Sequence, residues 1–224
     1  MIGFRVCRRK RKVETRWVEA FRILPVANVS DVMSRMTAAG AALRPFYTGA
    51  TMIGPAVTVK ARPGDNLMVH KALDLAEPGD VVVVDAGGDL TNAIIGELMV
   101  AHADQRGLGG IVIFGAIRDS AELSAGSFPV FACGVTHRGP YKDGPGEVNV
   151  PISIGGMVIH PGDLVCGDRD GVLSVPIDDV ETIYTAATKK HEAETRQMED
   201  IRNGKNDRAW VDAALQKQGC VIEG

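Results

Sequence analysis

The 224-residue sequence lacks the features on which membrane-spanning and secreted proteins depend. It contains no run of about 18 apolar residues, the length that a membrane helix needs. Its start is rich in arginine and lysine and has no apolar segment, so we expect no secretion signal. The four cysteines lie far apart without a CxxC pair, which argues against a disulfide framework and against a zinc site. These absences favour a cytoplasmic protein with reduced thiols.

Aromatic residues are also scarce, at 5% of the chain, whereas glycine is abundant at 26 residues. Hydrophobic residues make up 45% and charged residues 24%, which is ordinary for a globular protein. Such a composition suits strands of small residues joined by tight turns, and the length is sufficient for one hydrophobic core. We therefore predict a single domain over residues 13–224.

The net charge of −3 is unevenly distributed along the chain. Residues 1–16 carry seven basic residues and one acidic residue, a net of +6, so the rest carries −9. We interpret residues 1–12 as a disordered basic arm, although such arms are also typical of segments that contact nucleic acid or anionic lipid. Because the acidic body offers no basic face, we expect no nucleic-acid partner. Because no long apolar run occurs, we expect no membrane partner either.

The middle of the chain has the pattern of an α/β fold. Apolar runs at residues 81–84, 111–114 and 130–133 are typical of strands that are buried on both faces. Between the first two runs, a helix is predicted to begin at Thr91 or Asn92 and to end at Arg106. A short helix that ends at Ala125 separates the second run from the third. This β-α-β-α-β order predicts parallel strands.

Shorter elements are predicted on both sides of this core. Before it we expect helices at 14–23 and 31–39, the second capped by Asn28 or Ser30, a strand at 55–61, and a helix at 66–76 that Asn66 caps. After a loop at 136–146, we expect four short strands at 148–152, 157–159, 164–166 and 172–175. Helices at 178–202 and 207–216 complete the chain.

Candidate functional residues gather at the carboxyl ends of two predicted parallel strands, where ligands bind in open α/β sheets. Backbone N–H groups of residues 96–99 are candidates to hold an anion if the helix does not already use them. Gly96 would allow a ligand to approach the backbone closely. Arg118 carries a planar cationic fork that suits a carboxylate. Together these groups indicate a site for a small oxo-acid anion.

Two carboxylates near Arg118 add a possible metal site. Asp119 offers a hard oxygen ligand, and Glu97 offers another directly or through water, which is how Mg²⁺ is usually bound. A cation and Arg118 would together polarise a 2-oxo group and stabilise the enolate that forms when a C–C bond breaks. The alternative is that Arg118 and Asp119 form a surface ion pair or that Asp119 caps a helix. The residues alone leave both readings open.

These landmarks resemble a known family. The segments PVANVSDVMSR, GDNLMVHKAL, VVVVDAGG, GIVIFGAIRD and PGDLVCGDRDGV occur here in the order seen in Mg²⁺-dependent pyruvate aldolases that act on 4-hydroxy-4-methyl-2-oxoglutarate and 4-carboxy-4-hydroxy-2-oxoadipate. The same superfamily includes the RraA proteins, inhibitors of ribonuclease E activity. The aldolase signature is an acidic residue, twenty further residues and Arg-Asp, which matches Glu97 and Arg118-Asp119. Aspartate is more frequent at the first position in the family, so Glu97 keeps the charge but reaches further.

The resemblance implies a layered α/β/β/α sandwich similar to the swivelling phosphohistidine domain. It also implies that Asp119 binds Mg²⁺ or Mn²⁺, that Arg118 contacts the keto oxygen and carboxylate of the substrate, and that Glu97 contacts the water shell of the metal. The carboxylate-binding amides match residues 96–99, chiefly Leu98 and Met99.

Family members form trimers or hexamers with sites at subunit interfaces, and a glutamate from the C-terminal helix of a neighbour contacts the metal's water shell. Glu192 and Glu194 both match that role, and the choice between them stays open.

By this resemblance the chain is a lyase that cleaves a 4-hydroxy-2-oxo di- or tricarboxylic acid to pyruvate and a second oxo-acid. Oxaloacetate decarboxylation should accompany this activity, because it passes through the same pyruvate enolate. Two alternatives remain: a lyase or decarboxylase for another 2-oxo acid, and an RraA-type regulator that binds a ribonuclease. RraA proteins without aldolase activity lack the Arg-Asp pair, so the presence of Arg118 and Asp119 favours an enzyme.

Overall fold

The computed structural model describes residues 3–223, and within that range it contains twelve β-strands and seven α-helices. In chain order these are β1 Phe4–Val6, α1 Thr15–Phe21, α2 Val26–Val32, β2 Arg44–Pro45, β3 Met52–Ala61, α3 Leu67–Leu75, β4 Val81–Asp85, β5 Ala93–Ile95, α4 Glu97–Gln105, β6 Gly110–Ile117, α5 Ser120–Ala125, β7 Val130–Val135, β8 Gly146–Val148, β9 Ile152–Ile154, β10 Met157–Ile159, β11 Leu164–Asp168, β12 Gly171–Val175, α6 Val180–Arg202 and α7 Ala209–Lys217. None of the helices in this range is both long enough and apolar enough to cross a membrane.

The largest sheet is built around parallel strands. Its order is β1-β8-β3-β4-β6-β7-β2, and the pairs β3/β4, β4/β6 and β6/β7 are parallel. β5 pairs with β6, and β11 pairs with both β3 and β12. The run β4-α4-β6-α5-β7 confirms the predicted β-α-β-α-β order. The four consecutive valines of β4 are completely buried, as expected for a strand that is covered on both faces.

Alternate side chains of β4 divide the interior into two hydrophobic clusters. Val82 and Val84 pack with residues of α3, α4 and α5, whereas Val81 and Val83 pack with residues of β9 to β12 and of α1, α2 and α6. Because side chains of a strand alternate between its faces, these clusters lie on opposite sides of the central sheet. Helices therefore cover one face, and a second layer of strands with further helices covers the other. The predicted α/β class and its layered arrangement are confirmed.

Two predicted helix starts are wrong. The helix expected at 31–39 is α2, which begins directly after Pro25 and ends before Ser34 and Arg35, whose φ angles of 56° and 60° are left-handed. The helix expected from Thr91 or Asn92 begins only at Glu97, because residues 93–95 are buried and pair with β6 as β5. In both cases tertiary packing outweighs the local capping signal.

One predicted strand is divided in two. Residues 148–152 were expected to be continuous, but Asn149 has a left-handed φ of 56° and separates β8 from β9. The strand therefore changes direction at this residue, and its second half joins the outer layer by pairing with β10. The remaining predicted elements occur at the expected places, with ends that differ by a few residues.

The basic N-terminal segment is ordered in residues 3–12, so the prediction of a disordered arm is corrected for that part. Residues 4–6 form β1, which extends the sheet by parallel pairing with β8. Arg9 reaches Asp80, whose carboxylate is completely buried, with 2.8 Å between Nη2 and Oδ2. A buried carboxylate needs a cation or several hydrogen-bond donors, and Arg9 supplies the cation. Residues 1 and 2, also assigned to the arm, lie outside the described range.

Candidate active site

A cavity of about 290 Å³ lies at the carboxyl end of the parallel strands. Its walls come from the start of α3, from β5, from the start of α4, from the end of β6 and from the loop that follows β7. Four of the predicted site residues line it: Gly96, Leu98, Met99 and Arg118. Asp119 lies beside the cavity in contact with Gly96, whereas the side chain of Glu97 is exposed and does not line it.

Arg118 and Asp119 are held at the N-terminus of α4 by backbone contacts. The N–H of Arg118 donates to the carbonyl of Ile95 at 3.0 Å, which attaches the end of β6 to β5. Asp119 then adopts a left-handed conformation (φ 55°, ψ 41°), which aspartate tolerates better than most residues. Its Oδ2 accepts a hydrogen bond of 2.9 Å from the N–H of Glu97 and lies 3.6 Å from Nε of Arg118. The Asp119 side chain thus caps α4 and makes no capping bond to α5, the helix that follows it.

Gly96 is required by the space around these two side chains. A Cβ atom at this position would overlap Oδ2 of Asp119 and would lie 2.9 Å from Cγ and 3.0 Å from Nε of Arg118. The φ of Gly96 is −149°, which any residue can adopt, so the constraint is steric and not conformational. The glycine therefore allows the Arg-Asp pair to close against the start of α4.

The backbone amides at 96–99 are not equally free to bind an anion. Asp119 occupies the N–H of Glu97, and the N–H of Met99 donates to the carbonyl of Gly96 at 3.2 Å. No acceptor for the N–H of Leu98 occurs in residues 3–223. Of the two amides expected to bind a carboxylate, only that of Leu98 is left available.

Asn66 is a cavity residue that sequence reasoning assigned to helix capping. Its side chain makes no capping bond; Oδ1 of Asp65 accepts instead from the N–H of Leu67 at 3.0 Å. Asn66 is 2% exposed, and its Nδ2 donates to the carbonyl of Ile94 at 2.9 Å. That bond leaves Oδ1 as the remaining acceptor of the amide; it is buried, and among the described residues it has no donor. A buried acceptor without a partner is costly, so a ligand hydroxyl would be favoured there.

His70 and Lys142 also line the cavity and were not predicted as site residues. His70 lies one helical turn after Asn66. That spacing was the only signal in the sequence that Asn66 and His70 share one face of α3. Burial, and then the positive charge of Lys142, lower the pKa of His70 below its ordinary value of 6.5. His70 is therefore neutral at pH 7, and the net positive charge of the cavity comes from Arg118 and Lys142.

The loop that carries Lys142 is fixed by a buried carboxylate far away in sequence. Oδ2 of Asp65 accepts hydrogen bonds from the N–H groups of Asp143 and Gly144, both at 2.8 Å. The N–H of Asn66 donates to the carbonyl of Tyr141 at 3.0 Å. These bonds join the loop to the start of α3, so Lys142 is mounted on an ordered wall.

The donor atoms near Asp119 fit a divalent cation that keeps most of its water. Oδ1 of Asp119 makes no hydrogen bond to any residue between 3 and 223, and the side chain is 37% exposed. Over the same residues no three His, Cys, Asp or Glu side chains gather into a metal-binding group. Mg²⁺ is commonly bound by one or two carboxylates with several waters, so this donor set fits Mg²⁺ better than a caged metal such as zinc.

The two C-terminal glutamates considered for a neighbouring site differ in their contacts. Glu194 accepts a hydrogen bond from Nδ2 of Asn28 at 2.6 Å and pairs with Lys190 at 2.8 Å. Lys190 and then Asn28 lower the pKa of Glu194 below its ordinary value. Glu192 is exposed and has no such partner in the described part of the chain. Glu194 therefore holds α6 against α2, and Glu192 is the freer of the two.

Comparison with known proteins finds relatives of one family. The model of the RraA-like family, described as Aldolase/RraA, matches residues 26–174. A Halalkalibacterium halodurans protein, provisionally named 4-hydroxy-4-methyl-2-oxoglutarate aldolase, is 41% identical over 192 residues, which cover 84% of this chain and 91% of that protein. A Thermus thermophilus protein named 4-hydroxy-4-methyl-2-oxoglutarate aldolase is 37% identical over 112 residues, covering 50% of this chain and 68% of its own. The solved structure of the RNA-processing inhibitor RraA from the same Thermus species matches with a TM-score of 0.63 and 32% identity, over 68% of this chain and 92% of that one.

Proposed function

Because this chain belongs to the RraA-like family, whose members include aldolases, we propose that it is a divalent-metal-dependent carbon–carbon lyase. Its substrate would be a 4-hydroxy-2-oxo di- or tricarboxylic acid of the 4-hydroxy-4-methyl-2-oxoglutarate type, and its products pyruvate and a second oxo-acid. Relatives named as aldolases support the reaction class. The observation that carries the proposal is the close packing of Gly96, Arg118 and Asp119 beside the 290 Å³ cavity.

The free groups of the cavity suit the keto-acid end of such a substrate. The N–H of Leu98 is an unused donor at a helix N-terminus, where an anion is favoured. Arg118 presents a guanidinium that can contact a carboxylate and a neighbouring 2-oxo oxygen together. We therefore propose that the 1-carboxylate and the 2-oxo group bind between Leu98 and Arg118.

Asp119 is the proposed ligand of Mg²⁺ or Mn²⁺. A bound cation would supply Lewis-acid polarisation of the 2-oxo group. The N–H of Glu97 holds one carboxylate oxygen of Asp119 and leaves the other free, so Asp119 could bind the cation through that second oxygen. Glu97 itself is proposed to act through its backbone and, with its exposed carboxylate, through water.

The reaction needs one bond cleavage and two proton transfers. The C3–C4 bond breaks with its electron pair moving towards C3, the 4-hydroxyl loses a proton and becomes a carbonyl, and C3 of the pyruvate enolate then gains a proton. Arg118 offsets the negative charge that develops on the 2-oxo oxygen, an effect usually worth several kcal/mol in a water-poor site. Oxaloacetate would give the same enolate by losing CO₂, so decarboxylation is part of the proposal.

Two further cavity residues are suited to bind the 4-hydroxyl group and the distal carboxylate of the substrate. The unpartnered Oδ1 of Asn66 suits the 4-hydroxyl, which is a donor. Lys142, on the opposite loop, suits the distal carboxylate that distinguishes these substrates from simple 2-oxo acids. We therefore propose that Lys142 selects for the second acidic group and Asn66 for the hydroxyl.

The assembly and location are also part of the proposal. We propose a homotrimer or homohexamer in which Glu192 of one subunit approaches the site of the next, because Glu194 is engaged within its own chain. All four cysteines are free, which suits a reducing cytoplasm.

The test is pyruvate release from 4-hydroxy-4-methyl-2-oxoglutarate and from oxaloacetate, with Mg²⁺ and with EDTA. We expect metal-dependent turnover of both, lost in Arg118→Ala and in Asp119→Asn but kept in Arg35→Ala, which removes an exposed cation that does not line the cavity. Lys142→Ala should raise KM for the larger substrate more than for oxaloacetate. Turnover of oxaloacetate alone would move the function to a decarboxylase or to another 2-oxo acid. No turnover with any metal would refute the lyase.

A second candidate is an RraA-type protein-binding regulator, favoured by the fold match to an RNA-processing inhibitor. Its signature would be a stable complex with a ribonuclease that survives Arg118→Ala. Metal-dependent turnover that is lost in Arg118→Ala, without a ribonuclease complex, would favour the lyase over the regulator.

A further inference from the structure

The basic N-terminal segment forms one wall of a second, larger cleft. This cleft has a volume of about 650 Å³ and shares no lining residue with the candidate active site. Residues 7–11 line one side, and Asn149, His160 and the prolines at 151, 161 and 176 line the others. Small-molecule sites typically have volumes of about 300–1,000 Å³, so the cleft has the size of a ligand site.

The segment is fixed at both ends, which makes the cleft a formed feature of the fold. The N–H of Cys7 donates to the carbonyl of Val148 at 3.0 Å, and the N–H of Val13 donates to the carbonyl of Gly162 at 2.9 Å. Arg9, in the middle, points away to the buried carboxylate of Asp80. The wall therefore keeps its shape without a ligand.

The cleft carries more positive charge than its own acids neutralise. Arg11 pairs with Asp178. Asp163 is engaged by the N–H groups of His160 and Ile177, at 2.8 and 3.2 Å. In the part of the chain that the structure describes, neither Arg8 nor Lys10 forms an ion pair. Of the four cations that line the cleft, Arg8 and Lys10 are thus unpaired, and they outnumber the one carboxylate, Asp163, that no arginine or lysine pairs with. This positive excess on an otherwise acidic protein favours an anionic ligand.

Asn149 adds a requirement for a hydrogen-bond donor. Its Nδ2 donates to the carbonyl of Cys7 at 3.1 Å, which fixes the amide and leaves Oδ1 as an acceptor. That oxygen is buried and has no donor from residues 3–223. The three prolines provide rigid apolar surface beside it. A matching ligand combines negative charge, a hydroxyl group and an apolar or ring-shaped body.

We propose that this cleft binds a phosphorylated, hydroxyl-bearing small molecule, a sugar phosphate or a nucleotide. Arg8 and Lys10 hold the phosphate, Asn149 accepts from a hydroxyl, and the prolines pack against the remainder. A phosphate group suits the two neighbouring cations, Arg8 and Lys10. A sugar supplies the hydroxyl group that Asn149 would accept from. The proposal does not depend on the lyase activity, because the two sites share no residue.

The test is calorimetric titration of the full-length protein with ADP, ribose 5-phosphate, adenosine and inorganic phosphate. We expect ADP or ribose 5-phosphate to bind, and the tighter of the two identifies the source of the phosphate. The double variant Arg8→Ala/Lys10→Ala should raise that Kd at least about tenfold, since it removes two charge contacts. The control Lys205→Ala/Lys217→Ala removes the same charge outside the cleft and should leave the Kd unchanged. Arg118→Ala should also leave it unchanged, which separates this site from the candidate active site.

Four results would overturn the proposal. The first is that neither phosphorylated ligand binds at millimolar concentration, and the second is that adenosine binds as tightly as ADP. The third is that the two double variants weaken binding equally. The fourth is that an RNA oligonucleotide binds more tightly than either ligand and displaces it. The last would identify the segment as a nucleic-acid surface. Arg8 and Lys10 are exposed and unpaired among the described residues, so their double variant should fold, and its melting temperature verifies this.

Discussion

Replacing Gly96 with alanine tests whether the packing of the Arg-Asp pair is needed for activity. The added Cβ would overlap Oδ2 of Asp119 and would lie 2.9 Å from Cγ of Arg118, where ordinary contact begins at 3.4 Å. Arg118 can move by about half an ångström, but Asp119 must rotate and lose its bond to the N–H of Glu97. Both groups proposed to act on the substrate are then displaced together.

The expected loss follows from that displacement. Misplacing catalytic groups by about 1 Å commonly costs about 100-fold in rate, which corresponds to about 2.7 kcal/mol of transition-state stabilisation. We therefore expect Gly96→Ala to lower kcat/KM for pyruvate release about 100-fold. The fold should be retained, because a φ of −149° is open to alanine. Circular dichroism and the melting temperature verify this point.

Gly126→Ala is the matched control. Gly126 follows α5, and a Cβ there would lie 3.4 Å or more from its nearest neighbours, which is ordinary contact. This variant should keep wild-type kcat/KM. If kcat/KM of Gly96→Ala stays within about threefold of wild type, then Arg118 and Asp119 have not moved by about 1 Å, or their movement does not affect catalysis. Either result refutes the reasoning about this site.

Two further predictions concern the charges. Arg9→Ala should destabilise the protein by about 3 kcal/mol, lowering the melting temperature by roughly 6–12 °C, because it leaves the buried carboxylate of Asp80 with only the N–H of Glu77 and the more distant ammonium of Lys12, at 4.0 Å. In an Asp80→Asn background the same substitution should cost far less, and equal costs in denaturant unfolding would contradict the pairing. Lys142→Ala should raise the pKa of His70 towards 6.5, since a neighbouring positive charge that disfavours the imidazolium is removed. Because the pKa of His70 is lowered by folding, its contribution to stability is complete above pH 6.5 and decreases as the pH falls through the folded pKa. An NMR titration in which Lys142→Ala leaves that pKa unchanged or lowers it would contradict the proposed proximity.

The parts of the fold that sequence predicted are those set by local pattern. Four consecutive valines at 81–84 can be buried only in a strand covered on both faces, and parallel strands bring their carboxyl ends to one edge. That reasoning placed Arg118 at the same edge of the sheet as residues 96–99 without a structure, although it put the start of α4 at Thr91 or Asn92 instead of Glu97. The placement at that edge was correct because strand burial and crossover length are encoded within a few residues of each other.

The parts that sequence did not predict depend on distant partners. The N-terminal segment is ordered by Asp80 and by β8, which lie about 70 and 140 residues further along the chain. The loop with Lys142 is positioned by Asp65, 78 residues earlier. Asn66 has the local signature of a cap, and only the packing of Ile94 against it turns its amide into a cavity group. No local pattern contains these contacts.

The most direct test of the central claim is exchange of the pyruvate methyl protons with D₂O, followed by NMR. The claim is that Arg118 and a cation held by Asp119 stabilise a pyruvate enolate. Exchange requires that enolate but no particular aldol substrate, so the result does not depend on the pathway. We predict exchange with Mg²⁺ or Mn²⁺ that stops with EDTA and in Asp119→Asn, and that is kept in Gly126→Ala. Absence of exchange with any divalent cation, or exchange that persists in Asp119→Asn, would contradict the account.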